Sequence, residues 1–220
     1  MAIGALLQTL GGRALAPLGE LGCDVLLERS LDDELPAVKP DVDVTLRFAS
    51  PADIDEICRM YEPDPFLYIG DPSPSPGSFE RARDLYLDRL KRGELCFLAT
   101  VEGVIAHVNW ICFQWGEALP EHPIRLHAGE IYTTDALTPA AFRGRGLHPF
   151  VLRSMLAYAR QRGFRHAYTL ARIDRTGSLK GLYSLGWKEC GRVVYFLRRG
   201  RTKAWFVWRR GNVEPLFRPA

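Results

Sequence analysis

The chain has 220 residues, of which 47% are hydrophobic and 25% are charged, and its formal net charge is +3. This composition is typical of a globular protein with a buried core, and the small charge does not indicate a dedicated nucleic-acid-binding protein. The sequence has no run of roughly 18 apolar residues, so no membrane span is predicted. The five cysteines form no CxxC pair, so neither a zinc site nor a disulfide framework is expected, which fits a reducing cytoplasm.

The first 42 residues differ in composition from the rest. Leucines alternate irregularly with glycines, and an acidic stretch containing prolines follows. This pattern predicts one or two short helices appended to a main domain that spans residues 43–220. A docking arm and an amphipathic element on a membrane surface are the alternatives.

The first half of the main domain predicts one strand, two helices and a hairpin. Residues 42–47 alternate as in a half-buried strand, and Ser50 and Pro51 are suited to the N-cap and first position of a helix. Residues 62–78 are rich in Pro, Asp, Gly and Ser and predict a long loop, which a helix over 79–92 follows. Strands over 95–101 and 104–113 flank Glu102-Gly103, a natural hairpin turn.

The second half continues the alternation of strands and helices. A strand over 124–137 is followed by an amphipathic helix over 147–162, a strand over 166–173 and a short helix over 178–185. Two further strands, over 190–197 and 204–208, are joined by an arginine-rich turn. The predicted order is therefore β, α, α, β, β, β, α, β, α, β, β, an α/β protein.

The segment between the strand and the amphipathic helix is suited to bind an anion. Gly144 and Gly146 allow a tight turn and the close approach of a ligand, while Arg143 and Arg145 add positive charge. The following helix directs its unpaired N–H groups at this turn, which makes a diphosphate a natural ligand. Taken alone the motif is weak, because a surface turn has the same sequence. It matches neither G-x-x-x-x-G-K-[ST] nor G-x-G-x-x-G.

Three motifs together resemble those of the GCN5-related N-acetyltransferase (GNAT) family. Arg143 and Gly146 match the pyrophosphate loop written [QR]-x-x-G-x-[GA], although His148 stands where Gly or Ala is usual. Residues 182–187, Leu-Tyr-Ser-Leu-Gly-Trp, resemble the signature L-Y-x-x-x-G-[FW], with one residue fewer between the Tyr and the Gly. Before them, Asp174 and Ser178 resemble the N-x-x-[SA] element, with Asp in place of the common Asn and one residue more between the two positions.

The resemblance implies a fold, a cofactor and a reaction. The fold would be a central mixed sheet of six to seven strands flanked by about four helices. The co-substrate would be acetyl-CoA or another acyl-CoA, with no metal, and the acyl group would pass to an amine by direct attack in a ternary complex. The alternative is a non-catalytic acyl-CoA-binding or scaffold module of the same fold. The residues expected to contact the cofactor are Ala136, Leu137, Arg143, Gly144, Arg145, Gly146, Leu147, His148, Asp174 and Ser178.

Two residues are assigned catalytic roles by the same resemblance. Glu130, which precedes Arg143 by 13 residues, is the candidate base; Asp135 is its rival, and some family members have no dedicated base. The alternative for Glu130 is a solvated carboxylate at a strand end. Tyr183 is the candidate acid for the departing thiolate, because a phenol with a pKa of about 10 is close to a thiol. Its alternative is a packed helical tyrosine whose hydroxyl lies at the surface.

The acceptor is expected to be a small-molecule amine or a protein amine, and residues 62–78 are predicted to cover its site. Nucleic-acid binding through the arginine-rich hairpin is not expected. The location is predicted to be cytoplasmic, and a homodimer is left open.

Overall fold

The computed structural model describes residues 19–61, 78–113, 126–198 and 201–209, with side chains for 24–61, 79–113 and 126–192. Its strands are β1 (Gly19–Ser30), β2 (Thr45–Phe48), β3 (Leu95–Val101), β4 (Val104–Cys112), β5 (Glu130–Leu137), β6 (His166–Arg172), β7 (Lys188–Arg198) and β8 (Arg201–Arg209). Its helices are α1 (Ile54–Tyr61), α2 (Ser78–Lys91), α3 (Leu147–Gln161) and α4 (Thr176–Ser184), with single 3-10 turns at Pro51–Asp53 and Ala140–Phe142.

The strands form one mixed sheet in the order β2-β3-β4-β5-β6-β1-β7-β8. β5 and β6 are parallel, and every other neighbouring pair is antiparallel. The four helices flank this sheet, so the predicted fold class is confirmed. Among the described residues the sheet has eight strands rather than six to seven, because the N-terminal segment contributes a strand.

Residues 19–30 form β1, so the prediction of helices was wrong for this part of the N-terminal segment. β1 lies inside the sheet and pairs antiparallel with β6 on one side and β7 on the other. Two consecutive residues of β1, Leu26 and Leu27, are both fully buried, because the two faces of an interior strand are both covered. Consecutive apolar residues of this kind lack the alternation that marks a half-buried strand. Residues 1–18 lie outside the described residues, as do residues 62–77 of the loop predicted over 62–78.

Each face of the sheet is covered by one pair of helices. Apolar side chains of α3 and α4 pack with Val25, Leu27 and Ile131 in the largest core cluster. On the other face, α1 and α2 pack against Val108 and Trp110 of β4. A sheet covered on both faces in this way has a buried centre, and ligands reach it most easily where its strands separate.

Local signals confirm several of the sequence predictions. Glu102 and Gly103 have φ values of 51° and 82° and close the hairpin between β3 and β4. The Ser50 amide donates to Asp53 Oδ2 at 2.7 Å, so Ser50 begins the turn that leads into α1. Among the described helices, none is both long and apolar enough to cross a bilayer.

Candidate functional site

The central feature of the site is an opening between β5 and β6. The two strands pair only from Glu130 to Thr133 and from His166 to Thr169, and the hydroxyl of Thr169 donates to the Thr133 carbonyl at 2.8 Å. Beyond this point the described backbone of the two strands is no longer paired. Each strand keeps its outer neighbour, β4 or β1, so the gap presents free backbone N–H and C=O groups to an extended ligand. The predicted cofactor residues Ala136 and Leu137 lie on this unpaired stretch.

A bulge in β5 accompanies the opening. Asp135 has a φ of 51°, which is uncommon for a residue other than glycine, and the register with β4 shifts between Val108 and Trp110. The Tyr61 hydroxyl from α1 donates to the Asp135 carbonyl at 2.5 Å. The Asp135 carboxylate forms an ion pair with Arg89 of α2. Both helices on this face therefore hold the bulge in place.

Arg89 is the centre of a buried ionic network beneath the bulge. Its side chain is 3% exposed and binds Asp135 together with Glu94, at 2.7 Å, and its guanidinium lies 4.4 Å from the centre of the Trp110 ring. The Cys112 thiol also donates to Glu94, at 2.9 Å. Burial opposes the charge, but the surrounding acidic groups raise the pKa of Arg89 above its ordinary value. The guanidinium thus stays charged, and the rival base Asp135 already forms an ion pair with it.

The loop before α3 has the backbone that an anion site requires. Gly144 and Gly146 have φ values of 78° and 72°, a region that glycine occupies without strain. α3 begins directly after them, at Leu147. Among the hydrogen bonds of the described residues, none uses the amides of residues 144–148 as donors, so these groups are free to bind a ligand.

The segment that follows β1 supports this loop from the outside. The Asp41 amide donates to the Arg145 carbonyl at 3.1 Å, and a Cβ at Gly146 would lie 3.4 Å from the Pro40 Cα atom. Farther along α3, Arg153 Nε donates to the Pro36 carbonyl at 3.1 Å. The loop is therefore packed against the chain behind it, while Arg143 and Arg145 remain exposed.

The unusual His148 directs its side chain toward α4 and the sheet. A Cβ on Gly181 of α4 would lie only 3.1 Å from its Cδ2 atom, and its ring lies 5.4 Å from the ring of His107. Burial lowers the pKa of His148 to about 4. His148 is therefore neutral at physiological pH, and only its backbone is suited to contact an anion. His107 contacts the Thr138 hydroxyl at 2.7 Å, as a packed residue of the sheet.

The fold is shared with solved acetyltransferase structures, although no protein-family model and no curated protein matches the sequence. A GCN5-related N-acetyltransferase from Sphaerobacter thermophilus matches with a TM-score of 0.59 and 19% identity, over 91% of this chain and 56% of that chain. The chain has the GNAT fold.

Two further structures match across most of their own length. A ribosomal-protein-alanine N-acetyltransferase from Brucella melitensis has a TM-score of 0.55 and 17% identity, over 71% of this chain and 93% of that chain. A predicted acetyltransferase from Clostridium acetobutylicum, solved with acetyl-CoA, has a TM-score of 0.52 and 15% identity, over 67% and 91% of the two chains. At these identities the likeness concerns the GNAT fold alone.

Most of the predicted cofactor residues gather at one edge of this GNAT sheet. The loop over 143–148 follows the C-terminal end of β5, and Asp174 and Ser178 follow the C-terminal end of β6. The guanidinium of Arg172 donates two hydrogen bonds to the carboxylate of Asp174, at 3.0 and 2.7 Å. These bonds lower the pKa of Asp174. Because β5 and β6 are parallel, their C-terminal ends meet at the same edge of the sheet, as the motifs imply.

The two predicted catalytic residues lie in other surroundings. Glu130 is the first residue of β5, roughly 20 Å of strand before Leu137. Its carboxylate accepts hydrogen bonds from the His127 amide at 2.8 Å and the Tyr168 hydroxyl at 3.4 Å. Tyr183 is 43% exposed and donates to Glu189 at 2.6 Å; desolvation and this bond raise the pKa of Tyr183 to about 12. Their catalytic roles remain predictions.

Sequence reasoning did not single out Asp24 and Arg89. Arg89 looks like an ordinary basic residue in the last turn of a helix. Asp24 is a lone carboxylate before the apolar run Val25-Leu26-Leu27, and only the position of β1 inside the sheet makes it notable.

Proposed function

We propose that the protein is an N-acyltransferase that moves an acetyl or other short acyl group from acyl-CoA to a primary amine. The observation that carries the proposal is the combination of two features at one edge of the sheet. Free amides over residues 144–148 are suited to the diphosphate, and the opening between β5 and β6 is suited to the extended pantetheine arm. Acyl-CoA has both groups in one molecule, and its thioester supplies the activated acyl group.

The amine acceptor would approach the opening from the face that carries α1 and α2. The acceptor is a small molecule or a protein amine, and the reaction proceeds by direct attack in a ternary complex. The bulge at Asp135 bends β5 at this point, so the backbone amides beyond it are suited to stabilise the oxygen of the reacting carbonyl.

The cofactor site is tested by Gly146→Val. A β-branched residue at a φ of 72° is strained by about 1–3 kcal/mol, and its side chain would press against Pro40 behind the loop and displace the amides of the anion site. We expect the affinity for CoA, measured by isothermal titration calorimetry, to fall at least roughly tenfold.

The matched control is Gly163→Val at the other end of α3. Gly163 has a φ of 84° and open space around its Cβ position, so this variant is strained in the same way but lies away from the loop. CoA affinity equal in the two variants, or absent in the unmodified protein, would contradict the proposed site.

The catalytic assignments are tested by release of free thiol from acetyl-CoA in the presence of a panel of primary amines. If Tyr183 protonates the thiolate, Tyr183→Phe lowers kcat at least about 100-fold, and Glu130→Gln has a comparable effect if Glu130 is the base. Tyr158→Phe on α3 is the control, because Tyr158 packs among Phe48, Phe97 and Phe113. Unchanged thiol release in both variants would remove the two roles.

A non-catalytic acyl-CoA-binding module is the second candidate. It is favoured by the bond from Tyr183 to Glu189 and by the distance of Glu130 from the loop. It predicts CoA binding without thiol release from any amine in the panel.

A further inference from the structure

Asp24 lies beside the opening between β5 and β6. On β1 it pairs with Arg172, three residues beyond the last β6 residue that pairs with β5. Its partner on β7 is Val193, which has no charge. Asp24 therefore lies next to the part of β6 that is not paired with β5.

The Asp24 side chain points to the face that carries α1 and α2. Side chains two residues apart on a strand share a face, so Asp24 points in the same direction as Leu26. Leu26 packs with Tyr132, Cys112 and Leu170 in one cluster. Cys112 lies on β4 two residues from Trp110, against which α2 packs. This is the side from which an acceptor would reach the opening.

One oxygen of Asp24 is buried without a partner. Oδ1 is inaccessible to solvent and has no hydrogen-bond partner among the described residues, although Arg172 is its neighbour. A buried carboxylate oxygen left unpaired is costly, so this atom is suited to accept a hydrogen bond from a donor that enters the site. A primary ammonium has three N–H donors and a positive charge, and it matches this oxygen in both respects.

Burial makes Asp24 a stronger base than an exposed aspartate. Desolvation raises the pKa of Asp24 to about 6; Arg172 opposes this and Asp174 adds to it. From β5 the facing titratable group is Tyr132, whose own pKa is raised by burial and by the charges of Asp135 and Asp24. The carboxylate of Asp135 already forms an ion pair with Arg89, and Glu130 lies at the opposite end of β5.

We propose that Asp24 binds the ammonium group of the acceptor and accepts the proton that it must lose before it attacks the thioester. The inference rests on the proposed function and gives a base to its acceptor site. The ammonium transfers one proton to the Asp24 carboxylate, and the free amine then forms an N–C bond with the carbonyl carbon. As the C–S bond breaks, the second proton leaves the nitrogen and the sulfur departs as the thiol. The products are an amide, free CoA and protonated Asp24, which returns its proton to solvent.

The test compares Asp24→Asn with Glu28→Gln. Asn has nearly the shape of Asp and cannot accept the proton. Glu28 lies on the same face of the same strand, roughly 13 Å away, where it pairs with Tyr168 and Lys188. We measure CoA affinity and the pH profile of kcat/KM for the best substrate of the amine panel, with acetyl-CoA saturating.

Asp24→Asn is expected to lower kcat/KM at least about 100-fold, to leave CoA affinity unchanged, and to abolish an acidic limb centred near pH 6. Glu28→Gln is expected to retain the rate and the limb. If Asp24→Asn retains both, or loses CoA affinity together with activity, Asp24 has no role in proton transfer. If the unmodified protein fails to bind CoA, it is the proposed function that fails.

A second measurement needs no variant and no turnover. The carboxyl carbon of Asp24 is titrated by NMR in the CoA-saturated protein, with and without each amine of the panel. We expect a midpoint near pH 6 that moves to lower pH when an ammonium group binds, because the positive charge favours the carboxylate. A midpoint near 4, or one that no amine moves, would overturn the assignment.

Discussion

A chain shortened to begin at residue 43 is expected to lose its cooperative fold. It lacks β1, and with it four buried side chains, Val25, Leu26, Leu27 and Leu31, each at most 1% exposed. Their burial contributes on the order of 6–12 kcal/mol, comparable to the whole stability of a typical domain. β6 and β7 also lose the hydrogen bonds of their shared neighbour. Circular dichroism during thermal unfolding would show a broad change or none.

A point variant tests the same strand at full length. Leu27→Ala is expected to lower the free energy of unfolding by about 2–5 kcal/mol, while Val104→Ala, at a residue 52% exposed, leaves it nearly unchanged. If the shortened chain unfolds in a sharp transition close to that of the full protein, β1 is an addition to the sheet on which its stability does not depend.

The second large effect is expected from Arg89→Met. This variant removes the positive charge shared by Glu94 and Asp135. The buried carboxylate of Glu94 keeps its ion pair with Arg92 but loses the one with Arg89, and the partly exposed carboxylate of Asp135 loses its ion pair with Arg89. Breaking a buried ion pair in this way costs about 3–5 kcal/mol. Urea unfolding at neutral pH measures the loss. CoA affinity is expected to weaken as well, because the bulge at Asp135 is held partly by this arginine.

The matched control is Arg83→Met on the same helix. The side chain of Arg83 is about half exposed and pairs with Asp55, so its removal leaves the stability nearly unchanged. The triple variant Arg89→Met, Glu94→Gln and Asp135→Asn should regain part of the loss, since the unpaired charges are then gone. If Arg89→Met and Arg83→Met lower the free energy of unfolding equally, the buried ionic network around Arg89 does not contribute to stability as proposed.

The edge that carries the loop was predictable because its signals are local. Gly144 and Gly146 adopt the positive φ values for which glycine is used, and the apolar stripe of α3 starts directly after them. The hairpin turn at Glu102-Gly103 was predictable for the same reason, since its conformation is determined by the two turn residues themselves. Such signals require no knowledge of the rest of the chain.

The features that were missed depend on distant parts of the chain. The consecutive residues Leu26 and Leu27 are both buried because β1 is covered on both faces. Nothing near them in sequence shows that β6 and β7 lie on either side of the strand. The bulge at Asp135 is held by Tyr61 and Arg89, which come from α1 and α2. The positive φ of Asp135, within a strand and with no glycine beside it, has no signature in composition or periodicity.

The position of β1 also determines when the sheet can be completed during synthesis. Of the described strands β1 leaves the ribosome first, yet its partners β6 and β7 lie about 140 or more residues later in the chain. At roughly 5–20 residues per second, an apolar strand must wait on the order of 10 s for its neighbours. Such long-range pairing gives the protein a high contact order and slow folding. We therefore expect chaperones to bind β1 while the nascent chain is still incomplete.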